Sequence, residues 1–378
     1  VPMRFIKHVY KIHTYAQDGR LFEGKTPVSA FLNSSYDGSF IAGLMELRYI
    51  QSLPVERIIN YFESHGFTLK KPTAHKLMEK ASSLFENLYK CIRQTALSDP
   101  YKAADETYYK ILVPEKNSKG KGVRKGYLWV VVGINTRMIY LLYDDGSRSE
   151  KVILNELGGC KGIIQSDGYS PYRKLESDAY PHITRIPCLQ HIKRKFIDCG
   201  EDDPDAKRIV EMINTLYQNE HKHKIGVDGW TVEQNLVHRK KYAPDILGEI
   251  KDVLDDIEER GDLLPKSELK EAITYLRNEW NAVVDIFNYG DTYLDNNIVE
   301  RMNRYISLSR KNSLFFGSHK GAERGAILYT IALTCRMNKV NLFEYLTDVI
   351  NRTAEWQPNT PLEKYRLLLP DRWEKAND

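Results

Sequence analysis

The chain has 378 residues, is 42% hydrophobic and carries a net charge of +4 with a pI near 8.5. That length and apolar content support a substantial core spread over more than one domain. So mild a basicity excludes a nucleic-acid reading from bulk charge, five cysteines without a Cys-x-x-Cys exclude a disulfide framework, and the lack of any long apolar run excludes a membrane-spanning helix.

In residues 1–40, Arg4 to Tyr15 reads as a strand or strand pair leading into the next domain, with His8 and His13 but no cysteine partners. The chain opens on Val1 with neither initiator Met nor signal-peptide apolar segment, so a processed or partial product in a reducing cytoplasm is expected. Residues 41–98 are predicted helical. Val55, Ile58, Ile59 and Phe62 form one apolar stripe, His65-Gly66-Phe67 ends that helix, and Leu77, Ala81, Leu84 and Leu88 form the next. Two readings fit: a helix-turn-helix offering His75, Lys76 and Lys80 to a DNA groove, or a plain helical hairpin packed on the following domain.

Residues 99–201 open on a strand rich in aromatic and β-branched residues, Tyr101 to Val113, stopped by Pro114; Asp105 shares a face with Thr107, Tyr109 and Ile111. A Gly-rich hairpin tip follows, carrying Lys116, Lys119, Lys121, Arg124 and Lys125, of which Lys121, Arg124 and Lys125 are expected to hold DNA phosphates unless the tip is only a solubilising one. Strands Tyr127–Ile134 and Arg137–Tyr143 come next, and the Val-rich first of these is apolar on both faces, as in a strand covered on each side. Ser147 to Leu157 fits a crossover helix, and Gly162 to Tyr169 a short buried strand whose last inward residue is Asp167, with Gly168 turning the chain. A lone ionised aspartate at such a place is costly, so each acid calls for a metal ion or a basic partner.

Cys188 and His191 can both ligate zinc, but a structural site takes four ligands and no second pair stands at suitable spacing, Cys199 and His182 being unpersuasive. The preferred reading is a helix start whose His191, Arg194 and Lys195 touch DNA. Residues 202–290 are predicted as an all-helical insertion with helices over 206–223, 244–260 and 267–287; acidic 249–262 would repel phosphate and should face solvent or protein. In residues 291–340, Asp295 is expected to cap a helix with Ile298, Val299, Met302, Tyr305 and Ile306 on its apolar face. Asn296, Glu300, Asn303 and Ser307 then share the opposite face. Asn297, Arg301, Arg304, Arg310, Lys311 and Asn312 surround Glu300, a setting suited to a divalent cation gripped beside a phosphate. Residues 341–378 make a C-terminal helix and tail.

Three hairpin-linked strands, a crossover helix, another strand and a late acidic helix form the layout of a ribonuclease-H-like mixed sheet flanked by helices, an α/β fold with an N-terminal helical domain and a helical insertion. The chain resembles an insertion-sequence-66-type DDE transposase. The residues carrying the likeness are Asp105-Glu-Thr107, Gln165-Ser-Asp167-Gly-Tyr169, Cys188-Leu-Gln-His191-Ile-Lys-Arg-Lys-Phe196, Asp295-Asn-Asn-Ile-Val-Glu300-Arg301, Arg310 to Ser318, and Leu367 to Trp373.

The resemblance implies a catalytic and metal-binding triad of Asp105, Asp167 and Glu300 with Mg2+, for which Mn2+ should substitute. It also implies bacterial, nucleoid-associated transposase activity on terminal inverted repeats and target DNA, in a homo-oligomer, with or without accessory proteins. Relatives of this type usually carry an N-terminal helical segment and a cysteine-rich module upstream, and usually have Trp where Leu189 stands, a change expected to weaken base stacking. Two other readings remain: a structure-specific nuclease or resolvase of the same fold, and a catalytically silent DNA-binding regulator.

Overall fold

In the computed structural model, residues 4–24, 29–31, 34–116, 120, 122–357 and 359–375 are described. A small exposed hairpin, β1 (Thr14–Gln17) and β2 (Arg20–Glu23), replaces the strand expected from Arg4 onward. Four helices follow: α1 (Gly38–Tyr49), α2 (Val55–Ser64), α3 (Lys71–Leu84) and α4 (Glu86–Ser98). The stripe expected to continue through Leu88 is split at the fully buried Phe85, which ends α3 and starts α4. These helices share one hydrophobic core with the sheet that follows, and the Tyr89 hydroxyl of α4 donates to the Leu141 carbonyl at 2.8 Å.

The sheet comprises β3 (Tyr101–Leu112), β4 (Val123–Gly133) and β5 (Met138–Leu142), then, after α5 (Glu150–Leu157), β6 (Gly162–Ser166), and, after the short α6 (Ser170–Arg173), β7 (Ile183–Pro187). Their spatial order is β5-β4-β3-β6-β7, antiparallel across the first three and parallel across the last three. Val130, Val131 and Val132 are fully buried in β4, as a strand covered on both faces requires. Because β4 starts at Val123, Arg124 and Lys125 lie on a strand rather than at a loop tip; Lys119 and Lys121 fall outside the described residues.

Helices α7 (Leu189–Ile197), α8 (Pro204–Glu220), α9 (Val232–Glu259) and α10 (Glu268–Ile286) build a second core against Tyr101, Ile163 and Ile186 of the sheet. Helix α9 begins twelve residues before the expected Pro244, since Thr231 and Gln234 form a reciprocal capping box and Pro244 is absorbed inside the helix. Its acidic end meets protein: Arg277 pairs with Asp255 and Glu258, and Lys270 with Glu258.

The chain then returns to the first core as α11 (Asn297–Asn312), α12 (His319–Met337), α13 (Leu342–Ala354) and α14 (Leu362–Arg366). Helix α12 runs along the outer edge of β5. There the Thr330 and Thr334 hydroxyls accept from the Leu141 and Ile139 amides at 3.0 and 3.2 Å. An otherwise unpaired sheet edge is thereby covered.

Candidate active site

Parallel pairing sets Ala103 of β3 opposite Gln165 of β6, so two residues further on Asp105 stands level with Asp167, on strands spaced about 4.8 Å apart. The Asp105 carboxylate accepts from the Glu106 amide at 2.8 Å and from Asn303 Nδ2 at 2.6 Å. Burial pushes its pKa up to about 8, and the charges of Glu106 and Asp167 add to the rise. Asp167 Oδ1 accepts from the Tyr169 amide at 3.1 Å, while the Asp167 carbonyl accepts from Arg185 Nη1 at 3.1 Å and the Gly168 amide donates to the Tyr275 hydroxyl at 2.8 Å. Glu106 is otherwise engaged, accepting from Arg148 Nε at 3.0 Å and from the Tyr172 hydroxyl at 3.3 Å.

Residues 293–296 stitch the third element to these two. The Tyr101 hydroxyl donates to Gln165 Oε1 at 2.6 Å and accepts from the Tyr293 amide at 3.0 Å, and Gln165 Nε2 donates to the Tyr293 carbonyl at 2.8 Å. The Leu189 amide donates to the Leu294 carbonyl at 2.9 Å, and buried Asn296 donates through Nδ2 to the Ala104 carbonyl at 3.0 Å. Helix α11 therefore starts against β3, one residue later than expected, with Asn296 at the cap position and Asp295 accepting from the Asn297 amide at 3.1 Å. Asn296 and Asn303, expected on an outward face, are instead buried and turned to the sheet.

Glu300 lies one turn before Asn303, and its Oε1 sits 3.7 Å from His191 Nδ1. The structure thus brings Asp105, Asp167 and Asn303 together and sets Glu300 on the same helix, with its carboxylate turned toward α7. Among the described residues, Glu300 Oε1, Asn303 Oδ1 and Asn296 Oδ1 are buried without a hydrogen-bond partner. Oxygen atoms left without donors beside a carboxylate pair suit a hard cation; the Glu300 carboxylate, however, stands within 4.8 Å of Cys188 and His191, a grouping that among the described residues does not include the two aspartates.

Of the expected DNA contacts, Arg124, Lys125, Arg194, Lys195, Asn297, Arg301, Arg304, Lys311 and Asn312 are exposed. Several already have internal work. Arg310 lies 3.9 Å over the Tyr108 ring and donates to the Tyr108 carbonyl at 2.6 Å, clamping α11 to β3. Lys125 lies 4.3 Å over the Tyr108 ring as well, Lys195 lies 5.9 Å over Tyr275, and Asn312 donates to the Ser52 carbonyl at 3.2 Å. Leu189 is 1% exposed and packs in the second core, which removes base stacking as the role of that position. Sequence reasoning missed the Asn303 contact, whose signal was its i+3 spacing from Glu300.

An acid whose folded-state pKa exceeds its unfolded value stabilises the fold below the unfolded value and loses that contribution as pH rises through the folded one. For Asp105 the window runs from its ordinary 3.8 to about 8. Asp105→Asn should therefore be more stable than the unsubstituted chain without divalent ions. The gap opens above pH 4 and levels off beyond pH 8 at on the order of 5–6 kcal/mol. Chemical denaturation in EDTA across pH 4–9 checks this, and a constant gap would contradict it.

A carboxylate within β3 beside another just past the carboxyl end of the adjacent parallel β6, near a helix bearing a third acid, defines an α/β protein with an acidic cleft at its sheet. The chain belongs to the Transposase IS66 family, whose pattern it matches over residues 33–324. Similar proteins of Sinorhizobium fredii (strain NBRC 101917 / NGR234) are Uncharacterized protein y4jD, 26% identical over 88% of this chain and 65% of its own length, and Uncharacterized protein y4hP, 24% identical over 100% and 70%. A third, Uncharacterized protein y4qI, is 26% identical over 96% of this chain and 68% of its own. The chain thus spans just under two thirds of the first of these relatives. No helix among the described residues is long and apolar enough to cross a membrane.

Proposed function

We propose that the protein is a DNA transposase of the DDE type, built on a ribonuclease-H-like core, that cuts phosphodiester bonds at element ends and joins the freed 3′ hydroxyls to target DNA. The observation that carries this reading is the placement of Asp105 on β3 beside Asp167, which directly follows the parallel neighbour β6, with the helix that bears Glu300 packed on β3. The sheet order β5-β4-β3-β6-β7, with two antiparallel hairpins followed by two parallel crossovers, supports the fold assignment. Membership of the Transposase IS66 family supports the reaction class.

Asp105, Asp167 and Glu300 would hold Mg2+, with Mn2+ able to substitute; when bound, the ions supply acidity to the attacking water or hydroxyl and offset charge on the leaving oxygen. Asn303 fixes the rotamer of Asp105 by donating to one carboxylate oxygen. Arg185 and Tyr275 hold the backbone around Asp167, so that its side chain is presented from a rigid turn. Glu300 leaves His191 by side-chain rotation to join the aspartates, since it already shares a helix face with Asn303. Exposed Arg301, Arg304 and Lys311, with Arg194 and Lys195, supply positive charge along the strand path, and binding weakens steeply as salt rises.

Labelled element ends incubated with the purified protein and a target plasmid test the reading. Mg-dependent nicking at the ends followed by joined products is the expected result. Cutting without joining would replace it by a nuclease or resolvase, and binding without cutting by a DNA-binding regulator.

A further inference from the structure

Cys188 follows β7 as the cap residue of α7, His191 lies in the first turn of that helix, and Glu300 lies in the first turn of α11. Their Sγ, ring nitrogen and carboxylate oxygen all fall within 4.8 Å of one another. His191 Nδ1 and Glu300 Oε1 are buried and, among the described residues, have no hydrogen-bond partner; at 3.7 Å they stand too far apart to bond each other. Cys188 is 1% exposed, and its sulfur accepts from the Asn296 amide at 3.2 Å and is faced by the His191 and Gln190 amides. Two orphaned ligand atoms and a sulfur around one point form a set that hydrogen bonding does not satisfy.

We infer that Cys188, His191 and Glu300 form a second metal site, selective for a borderline ion of the Zn2+ class and distinct from the magnesium chemistry of the aspartates. Ligands around tetrahedral zinc lie roughly 3.3–3.8 Å apart, so the His191 and Glu300 atoms already stand at bonding separation and the sulfur needs a shift of about 1 Å. Sulfur and imidazole favour Zn2+ or Co2+ over Mg2+, which takes oxygen ligands. On binding, the Cys188 thiol gives its proton to solvent, the neutral imidazole offers its Nδ1 lone pair, and a fourth position stays open to water. The consequence for activity, that an ion held here keeps Glu300 from the aspartates, rests on the proposed function; the site itself does not.

Cobalt binding to the full chain tests the site without reference to cutting. Titration with Co2+ should produce one equivalent of thiolate-to-cobalt charge-transfer absorption in the near ultraviolet, together with intense tetrahedral bands in the visible, both bleached by Zn2+ but not by excess Mg2+. Asp105→Asn and Cys199→Ser should keep the spectrum. Cys188→Ser should lose the charge-transfer band, and His191→Ala the tetrahedral intensity, with circular dichroism confirming the fold. Should Cys188→Ser fail to fold, His191→Ala decides alone, since its side chain is part-exposed. No thiolate band in the unsubstituted chain, or a spectrum indifferent to His191→Ala, overturns the inference. If Asp105→Asn lacks cutting yet keeps the cobalt spectrum, cobalt binding does not need the aspartates; if no variant or parent cuts DNA, the cobalt result stands independently.

Discussion

Asp167→Asn is expected to lower Mg-dependent cutting of element ends by on the order of 10³-fold or more while leaving affinity for those ends within about twofold. The size follows from what is removed. A carboxylate oxygen that neutralises a cation beside a developing oxyanion contributes several kcal/mol to the transition state alone, and each 1.4 kcal/mol is about tenfold in rate. The fold loses little, because the hydrogen bonds that fix this turn run through backbone atoms: the Asp167 carbonyl to Arg185, and the Gly168 amide to Tyr275. Asn at 167 keeps an oxygen for the Tyr169 amide as well. Asp105→Asn and Glu300→Gln should behave alike in cutting. Asn303→Ala should fall between, since it frees the Asp105 rotamer without removing a ligand, and Mn2+ should recover part of its loss. Gel-based cleavage and fluorescence anisotropy on the same labelled ends check both halves; cutting within tenfold of the unsubstituted chain by Asp167→Asn or Glu300→Gln would refute the triad.

Much of the fold was legible because its cues are local. The Tyr101–Leu112 strand announced itself by composition and a terminal proline, and the valine run of β4 by having no polar face. Strand pairing then set Asp105 level with Asp167, a consequence of register that follows once β3 and β6 are neighbours. What escaped reading depended on contacts distant in sequence. Asn303 looked like a solvated polar residue because only the return of α11 to β3, almost 200 positions later, gives its amide a carboxylate to meet. Cys188 and His191 lacked partners by spacing, since the third ligand atom arrives from α11 across the whole helical insertion. Pro244 misled for the opposite reason: a local rule for helix starts was overridden by a stronger local signal, the Thr231 capping box, thirteen residues upstream.

Arg185→Met is expected to cost roughly 3–5 kcal/mol of stability at neutral pH, the largest effect of any substitution outside the acidic site. Arg185 is fully buried on β7 and pairs with Glu279 of α10, itself fully buried, and with Glu176. The pair therefore bolts the helical second core to the edge of the sheet, and through the Asp167 carbonyl the same guanidinium holds the turn that presents an acid. Removing it strands a carboxylate whose other cation, among the described residues, is the half-exposed Arg173, 3.9 Å away. Burial already holds Glu279 above its usual pKa with Arg185 beside it, so without that partner the carboxyl takes up a proton more readily and the penalty grows as pH rises. Denaturation at pH 5 and pH 8 should show the larger loss at pH 8. Arg185→Met combined with Glu279→Leu should regain most of the stability, because the cost lies in the orphaned charge rather than in the missing attraction. It should not regain cutting, since the Asp167 turn still lacks its donor. A double variant no more stable than Arg185→Met alone would show that the guanidinium works through its backbone contacts instead of the ion pair.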